Sequence, residues 1–150
     1  KLGLAGEKLL LEKLPGIVSG NIIPKKQDEN KATYAYNIKP EEEKLDFNHS
    51  SKAVYDYVRA LRPRPLCHAT VGGKQLKIID VSVEDIGREY DKEESGTIIF
   101  SSNKKVLVKT QDGAVSLQQV QIEGKKEMDI KTFMNGLGRK ILEKGRIFNR

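Results

Sequence analysis

Residues 106–122 read VLVKTQDGAVSLQQVQI. Apolar side chains at Val106, Val108, Val115 and Leu117 recur at every second position on either side of Asp112-Gly113. A period of two around an Asp-Gly pair predicts two antiparallel strands joined by a tight turn. The pattern continues outward: 69–71 and 75–83 flank Gly72-Gly73, and 96–101 is separated from 106–110 by Ser102-Asn103. With 114–122 these make five short strands, which predict a mainly β fold curled into a small barrel. The acidic stretch 84–94 reads as a solvated loop.

Three segments switch to helical spacing. Ala53, Val54, Tyr57, Val58 and Leu61 share one face of a helix that Ser50 or Ser51 caps and Arg62-Pro63 ends. A last helix starts near Asp129, with Ile130, Phe133, Met134, Leu137 and Ile141 inward. At the other end, Leu2, Ala5, Leu9, Leu10 and Leu14 repeat with a three-four spacing that Pro15-Gly16 interrupts or kinks. Between Gly20 and Pro40 the periodicity disappears, as expected of a linker, and Pro40-Glu41-Glu42-Glu43 follows as a short acidic turn.

The chain has 150 residues, 37% hydrophobic and 32% charged, the composition of a water-soluble globular domain. Its apolar runs are far shorter than the roughly 20 residues a membrane-spanning helix needs. A lone cysteine, Cys67, closes no internal disulfide and favours a reducing compartment, cytoplasmic or an organellar matrix. The net charge of +6 is unevenly distributed: residues 1–48 and 49–94 each carry eight bases and eight acids, whereas 95–150 carry eleven bases and five acids. A one-sided surplus of that kind is either a solvated face or an attractor for a polyanion.

Familiar catalytic patterns fail. His49 lies at the start of a helix and His68 beside Cys67 on a strand, where neighbours point to opposite faces and do not form a metal pair. Gly124-Lys125 is followed by Lys126 rather than Ser or Thr, and Gly136-Leu137-Gly138 has Ile141 where a dinucleotide loop needs glycine. What remains is basic: Lys104 and Lys105 at a turn, Lys109 on a strand, Lys125 and Lys126 before the last helix, Arg139, Lys140, Lys144 and Arg146 beyond it, and Arg62 and Arg64 beside the prolines. Trp is absent, and Phe100, Phe133 and Phe148 are expected in the packing, so phosphate recognition by charge and shape is expected rather than base stacking.

One collinear series spans nearly the whole chain: Leu10-Leu11-Glu12-Lys13-Leu14-Pro15, Gln27-Asp28-Glu29, Ala32-Thr33-Tyr34-Ala35, Asp46-Phe47, Val58-Arg59-Ala60-Leu61 with Pro63 and Pro65, Gly96-Thr97-Ile98, and Gly124-Lys125-Lys126. In order and spacing it resembles methionyl-tRNA formyltransferase. That family joins an N-terminal doubly wound formyl-transfer domain to a C-terminal barrel similar to the oligonucleotide-binding fold. It moves a formyl group from 10-formyltetrahydrofolate to initiator methionyl-tRNA with Asn, His and Asp of the upstream domain. The resemblance implies a mainly β, OB-like open barrel with flanking helices over residues 40–150. Ahead of it would lie a linker at 21–39 and, at 1–20, the last helix of a truncated catalytic domain. The upstream motifs do not occur here, so no catalytic residue or cofactor site is carried over and the fragment is expected to be inert. The implied partners are initiator methionyl-tRNA and the upstream domain in cis, with no membrane. The family has Trp where Phe47 stands and an Asn-Pro-Trp-Pro tract in place of Arg62-Pro63-Arg64-Pro65. The alternative is the equivalent domain of a related formyltransferase or formyltetrahydrofolate hydrolase, a scaffold whose basic face meets only water.

Overall fold

A computed structural model describes residues 1–149, which divide into two compact units, Lys1–Tyr36 and a second beginning at Asn37. In the first, helix α1 (Leu2–Val18) runs through Pro15, one turn further than the proline-glycine pair suggested, and none of its residues is buried. A short turn at Glu29–Lys31 follows, capped by Asp28, whose Oδ1 accepts from the Asn30 amide at 3.1 Å.

The second unit is a six-stranded antiparallel sheet with helices against it. Its elements are α2 (Ser51–Ala60), β1 (Cys67–Val71), β2 (Lys74–Glu84), β3 (Ile98–Ser101), β4 (Val106–Lys109), β5 (Ala114–Ile122), β6 (Met128–Asp129), α3 (Ile130–Met134) and α4 (Gly138–Ile141). The strands lie in the order β1-β2-β5-β4-β3, and β6 pairs with the far end of β5. Every pairing between these strands is antiparallel, a single parallel bridge joins Lys44 to His68 at the β1 edge, and among the described residues β1 and β3 do not pair with each other, so the sheet is open.

The segment 145–149 spans that opening. The Gly145 amide donates to the Ile98 carbonyl and the Ile98 amide to the Arg146 carbonyl, both at 2.8 Å, fastening the segment to β3. Further along, the Asn149 amide donates to the Thr70 carbonyl, Asn149 Oδ1 accepts from the Thr70 amide at 3.2 Å, and Asn149 Nδ2 donates to the Leu45 carbonyl at 2.8 Å. The two sheet edges are therefore tied by backbone and one side chain rather than by a shared strand, which satisfies edge groups that would otherwise invite foreign pairing.

The core follows the period-two pattern. Cys67, Ala69, Val71, Leu76, Ile78, Val108, Val115, Leu117 and Val120 point inward, joined by Val54, Val58 and Leu61 of α2. A register shift between Ile78 and Asp80 inserts an extra residue, leaving both Ile78 and Ile79 buried. Phe47 packs against Phe148 with ring centroids 5.1 Å apart. Ser50 is the cap of α2, its hydroxyl accepting from the Ala53 amide at 3.2 Å.

Two expectations need correction. The last helix is not continuous: α3 ends at Met134, Asn135 caps it, and α4 begins only at Gly138. A Cβ on Gly138 would stand 2.6 Å from the Phe133 carbonyl oxygen, so the chain turns back on itself there, and Leu137, expected inward, is exposed. Phe133 and Phe148 are buried as expected, but Phe100, on the outward side of edge strand β3, is exposed.

Candidate nucleic-acid interface

The eleven basic residues singled out in the sequence fall into three groups. Lys109 is not on the surface: it is only 5% exposed, and its ammonium donates to the Thr110 carbonyl at 2.7 Å. Its place at the end of β4, opposite Ala114, folds the side chain back over its own strand, so it cannot reach a phosphate.

Three more already have carboxylate partners. Arg62 reaches Asp80 at 2.9 Å, Lys105 reaches Glu84 at 3.0 Å, and Arg146 reaches Glu143 at 2.6 Å. Such half-exposed pairs are weak and exchange readily with a stronger anion, but each lowers the net field nearby. Arg64, Lys104, Lys125, Lys126, Arg139, Lys140 and Lys144 are exposed, and among the described residues none has an ion-pair partner.

The structure brings some of these together at one end of the sheet. The β1–β2 turn, Gly72-Gly73, lies beside the turn that follows β5, because Leu76 pairs with Ile122. Both turns need glycine: φ is +56° at Gly72, +70° at Gly73 and +72° at Gly124, where side chains are rarely accommodated. Arg146 lies over Gly72, its guanidinium filling the space a Cβ would occupy. Lys125 and Lys126 extend from the opposite turn. Between the turns is a cavity of about 360 Å³ lined by Gly73, Lys74, Gln75, Ile122, Glu123 and Gly124, and beside it one of about 290 Å³ that adds Lys77 and Gln121.

Lys74 and Lys77 were not among the sequence candidates, yet both are exposed on β2, and among the described residues neither has a carboxylate partner. Their signal was present: Lys77 occupies the outward phase of the strand, and Lys74 directly follows the glycine turn. Lys104 belongs to a different neighbourhood. The β3–β4 turn that carries it is anchored to the chain just after α4 by Ser101, whose hydroxyl donates to the Leu142 carbonyl at 2.6 Å.

Among the described residues there is no cluster of three or more His, Cys, Asp or Glu that could hold a metal ion. His49 Nε2 stands 3.8 Å from Asp46 Oδ2, and both side chains are largely exposed. Burial pushes the Cys67 thiol up to about 12, where it is a packing group rather than a nucleophile. Asp112 is held below the ordinary carboxylate range, first by the Ser51 backbone amide and then by the Ser51 hydroxyl, and this fastens the start of α2 to the β4–β5 turn. No helix of the described residues is long and apolar enough to cross a membrane.

Comparison with known proteins places this geometry in a family. Residues 37–138 match the family described as formyl transferase, C-terminal domain. Methionyl-tRNA formyltransferases from Streptococcus pneumoniae strains JJA and Hungary19A-6 are 42% and 41% identical to the chain over 142 residues, 94% of its length. The chain spans 44% of the length of these relatives. Among solved structures, HypX from Aquifex aeolicus in complex with tetrahydrofolic acid superposes with a TM-score of 0.68 at 21% identity, covering 89% of this chain and 23% of that one. A HypX variant gives 0.69 at 19% identity, covering 89% and 24%. At that identity the likeness is one of fold, and the fold is the open antiparallel sheet described above. The match of residues 37–138, together with relatives aligned over almost the whole chain, shows that this protein belongs to the formyl transferase C-terminal domain family.

Proposed function

We propose that this chain is the RNA-holding part of a methionyl-tRNA formyltransferase. It grips initiator methionyl-tRNA by its phosphates, while an upstream domain in cis transfers formyl from 10-formyltetrahydrofolate. In this reading residues 1–20 form the last helix of that domain, and 21–39 the connection to residues 40–150. The relatives' names supply the substrate class. The observation that carries the binding role is the convergence of Lys74, Lys77, Lys125 and Lys126, which have no carboxylate partner among the described residues, on two adjoining glycine turns. At Gly73 and Gly124, where nothing stands within 4 Å of the missing Cβ, a phosphate ridge can approach closely, and ammonium groups on either side neutralise it without fixing its sequence.

A second reading has its own support. Arg62, Lys105 and Arg146 are spent on Asp80, Glu84 and Glu143, and Lys109 is buried, as a scaffold domain that never meets RNA would arrange them. Titrating tRNA against the chain at several salt concentrations separates the two. Four phosphate contacts give a slope of log affinity on log salt near −3, at an affinity of about 10⁻⁴–10⁻⁶ M. The Lys125→Glu/Lys126→Glu pair should weaken binding and flatten that slope by nearly two. Salt-independent binding, or no effect of the charge reversal, refutes the grip and leaves the scaffold.

A further inference from the structure

The outward face of β1, β2 and β5 is unusual in what it offers. The register sets His68, Lys77 and Gln121 in one row across the three strands, and Thr70 beside Gln75 in the next. The residues between them, Ala69, Leu76, Ile78, Val120 and Ile122, all point into the core, so the row is presented by a rigid support. Gln121 is held in place: its Nε2 donates to the Lys125 carbonyl at 2.9 Å, which fixes the amide plane at the rim of the smaller cavity of about 290 Å³. Gln75 and Lys77 are exposed.

Three features limit what this face can bind. No aromatic ring lines either cavity, so unstacked bases have nothing to lie on. Glu123 sits in the lining of both, so the face is not a continuous anion track. What it does present is two amides, Gln75 and Gln121, close to Lys77, each able to donate and to accept, with Lys74 and Lys125 on the two turns beyond them. That combination matches a surface with hydroxyls in its floor and phosphates at its margins. An A-form RNA helix presents such a surface in its wide, shallow minor groove, where 2′-hydroxyls lie exposed between two backbones.

We propose that Gln75, Lys77 and Gln121 read the minor groove of an A-form RNA stem through its 2′-hydroxyls, so that this face distinguishes RNA from DNA. The inference rests on the phosphate grip proposed above and deepens it: the lysines supply attraction, and the amides supply the sugar test. Neither amide needs a particular base, so recognition is by helix form.

The test compares a short RNA duplex with the DNA duplex of the same sequence, each titrated against the 150-residue chain. The unaltered chain should prefer RNA by about tenfold or more, the yield of two hydrogen bonds of ordinary strength. Gln75→Ala/Gln121→Ala should bring that preference below about threefold with the salt slope unchanged. Gln75→Ala alone, at an exposed position that folding does not depend on, should lower it part of the way. Lys125→Glu/Lys126→Glu should weaken both duplexes and leave the ratio intact. Equal affinity for RNA and DNA, or a ratio that survives loss of both amides, overturns the inference while leaving the phosphate grip standing. Absence of binding to either duplex and to tRNA overturns both.

Discussion

Removing the Ser51 hydroxyl should cost far more alone than in company. Ser51 Oγ donates its one hydrogen to Asp112 Oδ1 at 3.0 Å and therefore accepts from Thr110 Oγ1 at 2.6 Å, and Ser51 and Thr110 are 5% and 0% exposed. Ser51→Ala therefore loses two hydrogen bonds and strands the Thr110 hydroxyl away from water, a total of about 2–3 kcal/mol. Thr110→Val keeps the shape and leaves Ser51 bonded to Asp112, at about 1 kcal/mol. In the double variant no hydroxyl is stranded, so its cost should fall short of the sum by about 1 kcal/mol. Urea unfolding followed by circular dichroism measures all four chains, and an unchanged m-value would show that the unfolded state is not the source. Costs that simply add, to within about 0.3–0.5 kcal/mol, would refute the claim that these two hydroxyls form one lock between α2 and the β4–β5 turn.

Other outcomes follow from the same structure. Gly138→Ala places a methyl 2.6 Å from the Phe133 carbonyl oxygen, and the backbone must shift to admit it; a loss of about 1–3 kcal/mol in urea unfolding is expected, and a neutral result would refute the close approach. Asp112 and Asp129 are both held low, Asp112 first by the Ser51 amide and Asp129 first by the Thr132 amide. Their folded values lie below the unfolded ones, so their stabilisation is complete above about pH 5 and drains away as pH falls through the folded values. The urea midpoint of the Asp112→Asn variant should therefore change less between pH 6 and pH 2.5 than that of the unaltered chain. With its thiol pushed up to about 12, Cys67 should resist alkylation at pH 8 and be labelled at once in guanidinium; rapid labelling of the folded chain would contradict its burial.

The strands were legible because each is half-buried and the alternation is written directly into the residue types. The hairpin at 106–122 came out nearly as read, with β4 and β5 bracketing Asp112-Gly113. The last helix was misread for a physical reason. Ile130, Phe133, Met134, Leu137 and Ile141 satisfy the helical period on paper, but the close packing of Gly138 on Phe133 is a tertiary contact that no local pattern encodes. The tie between β1 and β3 was equally invisible, since it depends on backbone groups and on Asn149, which carries no hydrophobic signal. For the basic surface, composition located the surplus charge but not its pairing. Asp80 and Glu84 lie on β2, remote in sequence from Arg62 and Lys105, and Glu143 meets Arg146 only because the chain turns between them, so all three bases looked as available as Lys125. Lys74 and Lys77 were overlooked because they stand in a segment whose total charge is zero, although folding carries them to the same end of the sheet.

The stitch made by residues 145–149 also governs when the fold can be finished on a ribosome. The β1–β2 and β3–β4 hairpins join neighbours in the chain and can form as they emerge, whereas Asn149 meets Thr70 and Leu45 across 79 and 104 positions. Leu45, made before β1, can cover the His68 carbonyl at once, but at a translation rate of roughly 5–20 residues per second the Thr70 amide and carbonyl of the nascent β1 edge wait several seconds uncovered. That interval is when a chaperone, or another nascent chain, would find it.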